Sequence, residues 1–152
     1  MKLRQYLDER NIHLDLEFDG KQGFFHDALS QLCEMGLVSS PERVQKDLEL
    51  REAIMSTGVG LGVAIPHAQS EGVERIHVSL WRPGKGLDFD AVDGQSVDLI
   101  FMILGPKSDG SEHVKILAHI SRMLHGEDFR DRLRAAGSAS EIHQVLHQFD
   151  ES

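Results

Sequence analysis

The chain has 152 residues, the size of one ordinary domain, and 40% of them are hydrophobic, which is enough for a single core. No apolar run approaches the roughly 18 residues of a membrane-spanning helix, so we expect no membrane insertion. The first ten residues lack the apolar segment of a signal peptide, and Cys33 is the only cysteine, so a cytoplasmic location is expected. The formal charge of −9 disfavours binding to a nucleic-acid backbone.

The N-terminal half is predicted to combine helices with a short strand. Residues 2–10 suggest a short helix, and residues 12–16 alternate like a strand. Apolar residues recur at helical spacing over residues 21–35, with Cys33 on the apolar stripe. The triplet Ser40-Pro41-Glu42 predicts a helix start with a serine cap, and that helix should run to about residue 55.

The middle of the chain carries three candidate strands. Residues 62–65, "GVAI", form a short buried candidate, and residues 76–81, "IHVSLW", alternate strictly. Residues 97–104, "VDLIFMIL", are almost entirely apolar, which predicts a central strand covered on both faces.

The C-terminal third is predicted to be helical. Ser111 is a candidate cap for a helix whose apolar stripe would be Val114, Leu117, Ala118, Ile120 and Leu124. A second helix should cover residues 127–136, and "SASE" at residues 138–141 is a capping box for a last helix. The pattern predicts an α/β fold: a single three-layer α/β/α domain over residues 1–152, with a small mixed β-sheet flanked by helices.

Most motifs of cofactor and metal chemistry are absent from the sequence. "TGVGLG" at residues 57–62 matches neither the dinucleotide-binding nor the Walker A pattern, which favours a helix exit and a tight turn. There is no zinc-protease motif and no cysteine pair, and His143 and His147 share a helix face without an evident third ligand. We therefore expect no cofactor and no metal.

His67 is the candidate with chemical potential, because it follows a short apolar run and a proline in "GLGVAIPHAQ". Imidazole changes charge near neutral pH and can act as a nucleophile. Proline fixes the backbone before it. The residues alone leave two interpretations open: a displayed reactive group, or a half-buried histidine at a strand end.

Three stretches, in order and at compatible spacing, resemble a known family: "LREAIMSTGVGLGVAIPHAQ", "LDFDAVDGQSVDLIFMILGP" and "EHVKILAHISRML". Over residues 21–149 the chain is similar to the IIA domain of the fructose/mannitol class of the bacterial phosphoenolpyruvate-dependent sugar phosphotransferase system. The nitrogen-regulatory IIA proteins belong to the same class.

The resemblance implies a phosphotransferase that works through a phosphohistidine. It implies that His67 accepts a phosphoryl group at Nε2 from HPr or a nitrogen-branch counterpart. His113, which heads the later helix, would stabilise the group, and Arg51 would give electrostatic support. The group would then pass to a separate IIB domain, since no IIB or IIC segment is evident, or its presence would signal to a regulatory target.

Two points stay open at the level of the sequence. Ala68 stands where the family often has glycine, so the turn after His67 is expected to differ, because alanine takes positive φ less freely. The other point is the output: sugar transport, nitrogen regulation, or an interaction module that has lost transfer. The intact set of His67, His113 and Arg51 disfavours the last.

Overall fold

The computed structural model describes residues 1–150 of the chain. Within them lie the helices α1 Gly20–Glu34, α2 Pro41–Ile54, α3 Gly110–Leu124, α4 Glu127–Ala135 and α5 Ala139–Phe149. The strands are β1 Ile12–Leu14, β2 Gly58–Gly60, β3 Val63–Ala64, β4 His67–Gln69, β5 His77–Arg82 and β6 Leu99–Gly105. Short 3-10 turns cover Leu3–Gln5, Glu9–Asn11 and Lys107–Asp109.

The six strands form one mixed sheet in the order β1-β5-β6-β3-β2, with β4 also paired to β6. Strands β1 and β5 run parallel, β5 and β6 antiparallel, and both β3 and β4 run parallel to β6. Strand β2 folds back antiparallel on β3. The mixed sheet predicted from the sequence is confirmed, and β6 is its central strand.

Strand β6 separates two hydrophobic clusters, as its continuous apolar sequence predicted. Leu99, Phe101 and Ile103 point to the cluster formed with α3, α4 and α5. Residues 100, 102 and 104 of the same strand point to the cluster formed with α1 and α2. Successive strand side chains alternate between faces, so a fully buried strand supplies both layers of core. The three-layer α/β/α arrangement follows.

The predicted N-terminal helix is wrong, because the segment contains two 3-10 turns instead. The carbonyl of Tyr6 accepts a hydrogen bond from the Val78 N–H of β5 at 2.9 Å. Once that carbonyl is used by the sheet, it cannot continue a helix. Leu3 and Leu7 are fully buried, so hydrophobic burial holds the segment in place.

The predicted apolar stripe of α3 is confirmed in part: Ile120 and Leu124 are buried, and Leu117 packs against the core. Val114 is 62% exposed, whereas His113, Ile116 and His119 are buried. The serine cap predicted at residue 111 is displaced as well, since α3 begins at Gly110. Two histidines also occupy the inner face of this helix, so an apolar periodicity identified only part of that face.

Helix starts were predicted with mixed success. The capping box before α5 is confirmed, because the Ser138 side chain accepts from the Glu141 N–H at 3.1 Å. Pro41 opens α2 as expected, but the Ser40 side chain makes no capping hydrogen bond. Cys33 is half-buried rather than core.

The glycine-rich stretch follows the end of α2 and makes a tight turn, as predicted, and this turn joins β2 and β3 in a hairpin. Leu61 sits at its tip with φ of 62°, between Gly60 and Gly62, both also at positive φ. The Leu61 N–H donates to Asp93 Oδ2 at 3.0 Å, and its carbonyl accepts from Arg134 Nη2 at 2.6 Å. These bonds hold a left-handed conformation that a leucine rarely adopts.

We expect acid to destabilise the fold through its buried histidines. Burial lowers the pKa of His13, His77 and His113 to about 4, whereas an unfolded histidine titrates near 6.5. Between those values the unfolded chain binds more protons, so stability is complete above pH 6.5 and falls as the pH drops. Each histidine contributes up to about 1.4 kcal/mol per pH unit in this window. Urea unfolding at pH 7 and pH 5 measures the difference.

The exposed His26 on α1 and the buried His77 provide a matched pair for this measurement. His77→Gln should reduce the loss of stability between pH 7 and pH 5, because it removes one of the titrating groups. His26→Gln should leave the loss unchanged. Equal losses in all three proteins would contradict the assignment to buried histidines.

Candidate phosphoryl-transfer site

His67 opens β4, beside the carboxyl-terminal half of the central strand. It is in register with Ile103 of β6, and the preceding Pro66 carbonyl accepts from the Ile103 N–H at 3.0 Å. The sequence placed His67 after a strand, whereas the structure places it at the first position of one. Ala68 is buried within this strand and does not have a positive φ, so this position does not require glycine.

A hydrogen bond to the backbone carbonyl of Ile65 fixes the tautomer of His67. Its Nδ1 lies 2.7 Å from the carbonyl oxygen of Ile65. A carbonyl oxygen can only accept, so Nδ1 carries the proton in this contact. Nε2 is therefore the nitrogen whose lone pair is available for chemistry.

Arg51, on the last turn of α2, contacts that second nitrogen. Its Nε lies 3.3 Å from His67 Nε2, and its Nη1 donates to the Met55 carbonyl at 3.1 Å. The guanidinium is thus placed beside the lone pair of His67. Because arginine keeps its charge at all relevant pH values, it brings a permanent cation to this point.

The environment of His67 favours the neutral form of its ring. Burial lowers its pKa, and the Arg51 cation adds to that effect. The Ile65 hydrogen bond and the Glu52 carboxylate act in the opposite direction without reversing the net shift. A neutral imidazole with a free Nε2 is the nucleophilic form.

His113 reaches the same place from α3. The His67 and His113 ring centroids are 5.6 Å apart, at an interplanar angle of 54°. His113 is only 4% exposed, and burial lowers its pKa to about 4, with a further contribution from His67. Its Nδ1 is buried without a hydrogen-bond partner.

The start of α3 lies against the strand that carries His67. A Cβ placed on Gly110 would lie 3.4 Å from the Nε2 atom of Gln69 in β4. Because His113 is in the first turns of α3, it lies near the helix end where backbone N–H groups and the helix dipole favour anions. The three residues singled out in the sequence thus come from three elements and lie together.

Apolar side chains are exposed close to these residues along the chain. Ile54 and Met55 follow Arg51, and Val114 follows His113; Ile54 is 81% exposed. Leu61, at the hairpin tip, is 60% exposed. Val63 and Ile65, which precede His67 in the chain, lie in the core instead.

Glu52 and Thr57 were not predicted from the sequence, and they support the site by bonding to each other after the end of α2. The Glu52 carboxylate accepts two hydrogen bonds from Thr57, one from the N–H at 3.2 Å and one from the hydroxyl. Glu52 directly follows Arg51 in "LREAIMSTGVGLGVAIPHAQ", one of the stretches that resemble the family, so the sequence did indicate it.

Residues 1–150 contain no group of three or more histidine, cysteine, aspartate or glutamate side chains placed to hold a metal ion. None of the helices in this range is long and apolar enough to cross a membrane.

The α/β domain therefore presents a strand-borne histidine beside an arginine and a second histidine. Residues 5–149 match the family model described as "Phosphoenolpyruvate-dependent sugar phosphotransferase system, EIIA 2". The chain belongs to this family, whose members are phosphoryl carriers.

Individual relatives of the chain bear both sugar and nitrogen names. It is 37% identical over 126 residues to a PTS system fructose-specific EIIA component of Haloferax volcanii, covering 83% of this chain and 82% of that protein. The crystal structure of the nitrogen regulatory protein IIA-Ntr from Neisseria meningitidis aligns with a TM-score of 0.86 and 34% identity, covering 93% of this chain and 97% of that one.

A second structure shares the fold at lower identity. It is the complex of enzyme IIAMtl with phosphorylated enzyme IIBMtl from Escherichia coli, with a TM-score of 0.76 and 23% identity. The alignment covers 93% of this chain and 96% of that one. At this identity the comparison establishes the α/β fold only.

Proposed function

We propose that this protein is a phosphoryl carrier of the phosphoenolpyruvate-dependent sugar phosphotransferase system. It accepts a phosphoryl group on His67 Nε2 from phosphorylated HPr and passes it to a IIB partner. The observation that carries the proposal is the 2.7 Å bond from His67 Nδ1 to the Ile65 carbonyl, which leaves Nε2 as the free nucleophile. The EIIA family membership supports the same reaction.

The transfer balances without a cofactor. The Nε2 lone pair of His67 attacks the phosphorus of a donor phosphohistidine, and the N–P bond of the donor breaks. The bonding pair returns to the donor imidazole, while His67 keeps its proton on Nδ1. Because one N–P bond replaces another, this step is close to thermoneutral. In the onward step a nucleophile of the IIB partner attacks the phosphorus, the Nε2–P bond breaks, and its bonding pair returns to His67.

Arg51 and His113 stabilise the charge on the transferred group. Phosphoryl transfer depends on in-line positioning and on stabilising the equatorial oxygens. The 3.3 Å contact between Arg51 Nε and His67 Nε2 is long for a hydrogen bond, so Arg51 can turn its donors to phosphoryl oxygens. Burial lowers the pKa of His113 to about 4, so the ring is uncharged near pH 7 and can donate its one N–H to a phosphoryl oxygen.

The exposed apolar residues form the surface on which carriers dock. Ile54, Met55, Leu61 and Val114 are exposed and lie close to the site residues along the chain, and we expect them to form a water-excluding rim. Excluding water slows hydrolysis of the phosphohistidine between the two transfers. The proposed partners are HPr or its nitrogen-branch counterpart as donor and a separate IIB domain as acceptor, in the cytoplasm.

The alternative function is nitrogen regulation, in which the phosphorylation state of His67 governs binding to a target. It is favoured by the likeness to IIA-Ntr of Neisseria meningitidis, which has a TM-score of 0.86. The residues of the site serve either output, because both begin with phosphorylation of His67.

Incubation with labelled phosphoenolpyruvate, Enzyme I and each of the two donors tests the proposal. We expect an acid-labile, base-stable label, with faster labelling from sugar-type HPr than from the nitrogen-branch donor. Absence of label with both donors would overturn the carrier function. A marked preference for the nitrogen-branch donor would instead establish the regulatory alternative.

A further inference from the structure

The carboxylate of Glu52 lies where the end of α2, helix α1 and the segment before β2 meet. Its side chain is only 7% exposed. It accepts from the N–H and the hydroxyl of Thr57, and Lys21 Nζ of α1 lies 2.8 Å from Oε2. Hydrogen bonds to a charged group are stronger than neutral ones, so three donors hold this carboxylate in one geometry.

Thr57 carries this constraint to His67 through two backbone hydrogen bonds. The Thr57 carbonyl accepts from the Ile65 N–H at 3.0 Å. The Ile65 carbonyl in turn accepts from His67 Nδ1 at 2.7 Å. Ile65 is therefore held at its N–H by the segment that Glu52 fixes, and its C=O holds the histidine.

Arg51 depends on the same turn. The turn runs from the end of α2 to Thr57, and Arg51 Nη1 donates to the Met55 carbonyl within it. Glu52 closes this turn by bonding to Thr57, five residues further along the chain. One carboxylate thus constrains both the nucleophile and the cation beside it.

We propose that Glu52 is a positioning residue that sets the reactive tautomer of His67. By fixing Thr57 and through it the Ile65 carbonyl, Glu52 keeps the proton on Nδ1 and the lone pair on Nε2. The consequence for phosphoryl acceptance rests on the proposed function. The tautomer itself is measurable without any transfer, so the two ideas fail separately.

Glu52→Gln tests the proposal, because it keeps the size of the side chain but removes the charge that binds Lys21 and Thr57. Nitrogen-15 NMR of the imidazole rings at pH 7.5, with the His67 signal assigned by its loss in His67→Ala, gives the tautomer. We expect Nδ1–H in the native protein and a substantial Nε2–H fraction in the variant. The initial rate of phosphorylation should fall about tenfold, since small misplacements are costly to group transfer.

Glu42→Gln is the matched control, because Glu42 is an exposed acid at the other end of α2. It should change neither the tautomer nor the rate. An unchanged tautomer in folded Glu52→Gln would overturn the proposal, even if thermal stability fell. A wild-type protein that takes up no label would overturn the proposed function while the tautomer result still stands for Glu52.

A second pair keeps the test decisive if Glu52→Gln does not fold. Thr57→Val preserves the buried shape of Thr57 and removes the hydroxyl that donates to Glu52. Thr57→Ser retains the hydroxyl. We expect the valine variant to shift the His67 tautomer and the serine variant to restore it. Identical tautomers in the two variants would overturn the proposal.

Discussion

His67→Ala is expected to take up no phosphoryl label under conditions that label the native protein fully. The variant lacks the Nε2 lone pair, and no other group can take its place in line with the donor. Hydrogen bonding to the Ile65 carbonyl is also lost, but β4 is held to β6 by backbone bonds that do not involve this side chain. The fold should therefore survive, and the measurement is the label bound after complete reaction with Enzyme I and HPr.

His26→Ala is the control for this experiment, because His26 is an exposed histidine on α1 with no link to the site. It should be labelled like the native protein. Label retained by His67→Ala would place the acceptor on another histidine and contradict the proposed function. Far-UV circular dichroism of each variant separates a lost acceptor from a lost fold.

The elements of the fold followed from the sequence wherever hydrophobic burial alone determined them. Strand β6 is apolar at every position because both of its faces are covered, and its pattern is unambiguous. The predicted stripe of α3 was right at Ile120 and Leu124 but missed His113 and His119, which also occupy the inner face. His119 is buried there by its Nε2 contact to Asp150 at 2.9 Å, a partner that no local pattern reveals.

The site was predictable only in part, for a related reason. Resemblance singled out His67, His113 and Arg51, and the structure brings all three together. The tautomer of His67 depends on the Ile65 carbonyl, and backbone hydrogen bonds of this kind have no side-chain signature. The support from Glu52 also involves Lys21 of α1, which is 31 residues away in the chain and is therefore a tertiary contact.

His113→Ala should still become labelled but should pass the group on about 100-fold more slowly. A single donor to developing charge contributes roughly 10²- to 10³-fold to such a step. The extent of labelling is governed by the donor pool and survives a slower reaction. The rate of onward transfer reveals the missing N–H. Single-turnover mixing of the labelled protein with a IIB domain measures that rate.

His113→Gln separates the hydrogen bond from the packing of this buried position. Glutamine offers an N–H donor in a similar place, so its onward rate should exceed that of the alanine variant by at least about tenfold, the equivalent of about 1.4 kcal/mol in the barrier. His113 is uncharged near neutral pH because burial lowers its pKa to about 4, so a neutral donor is the appropriate substitute. Equal, native-like rates in both variants would remove His113 from the transfer step and leave Arg51 as the main stabilising group beside His67.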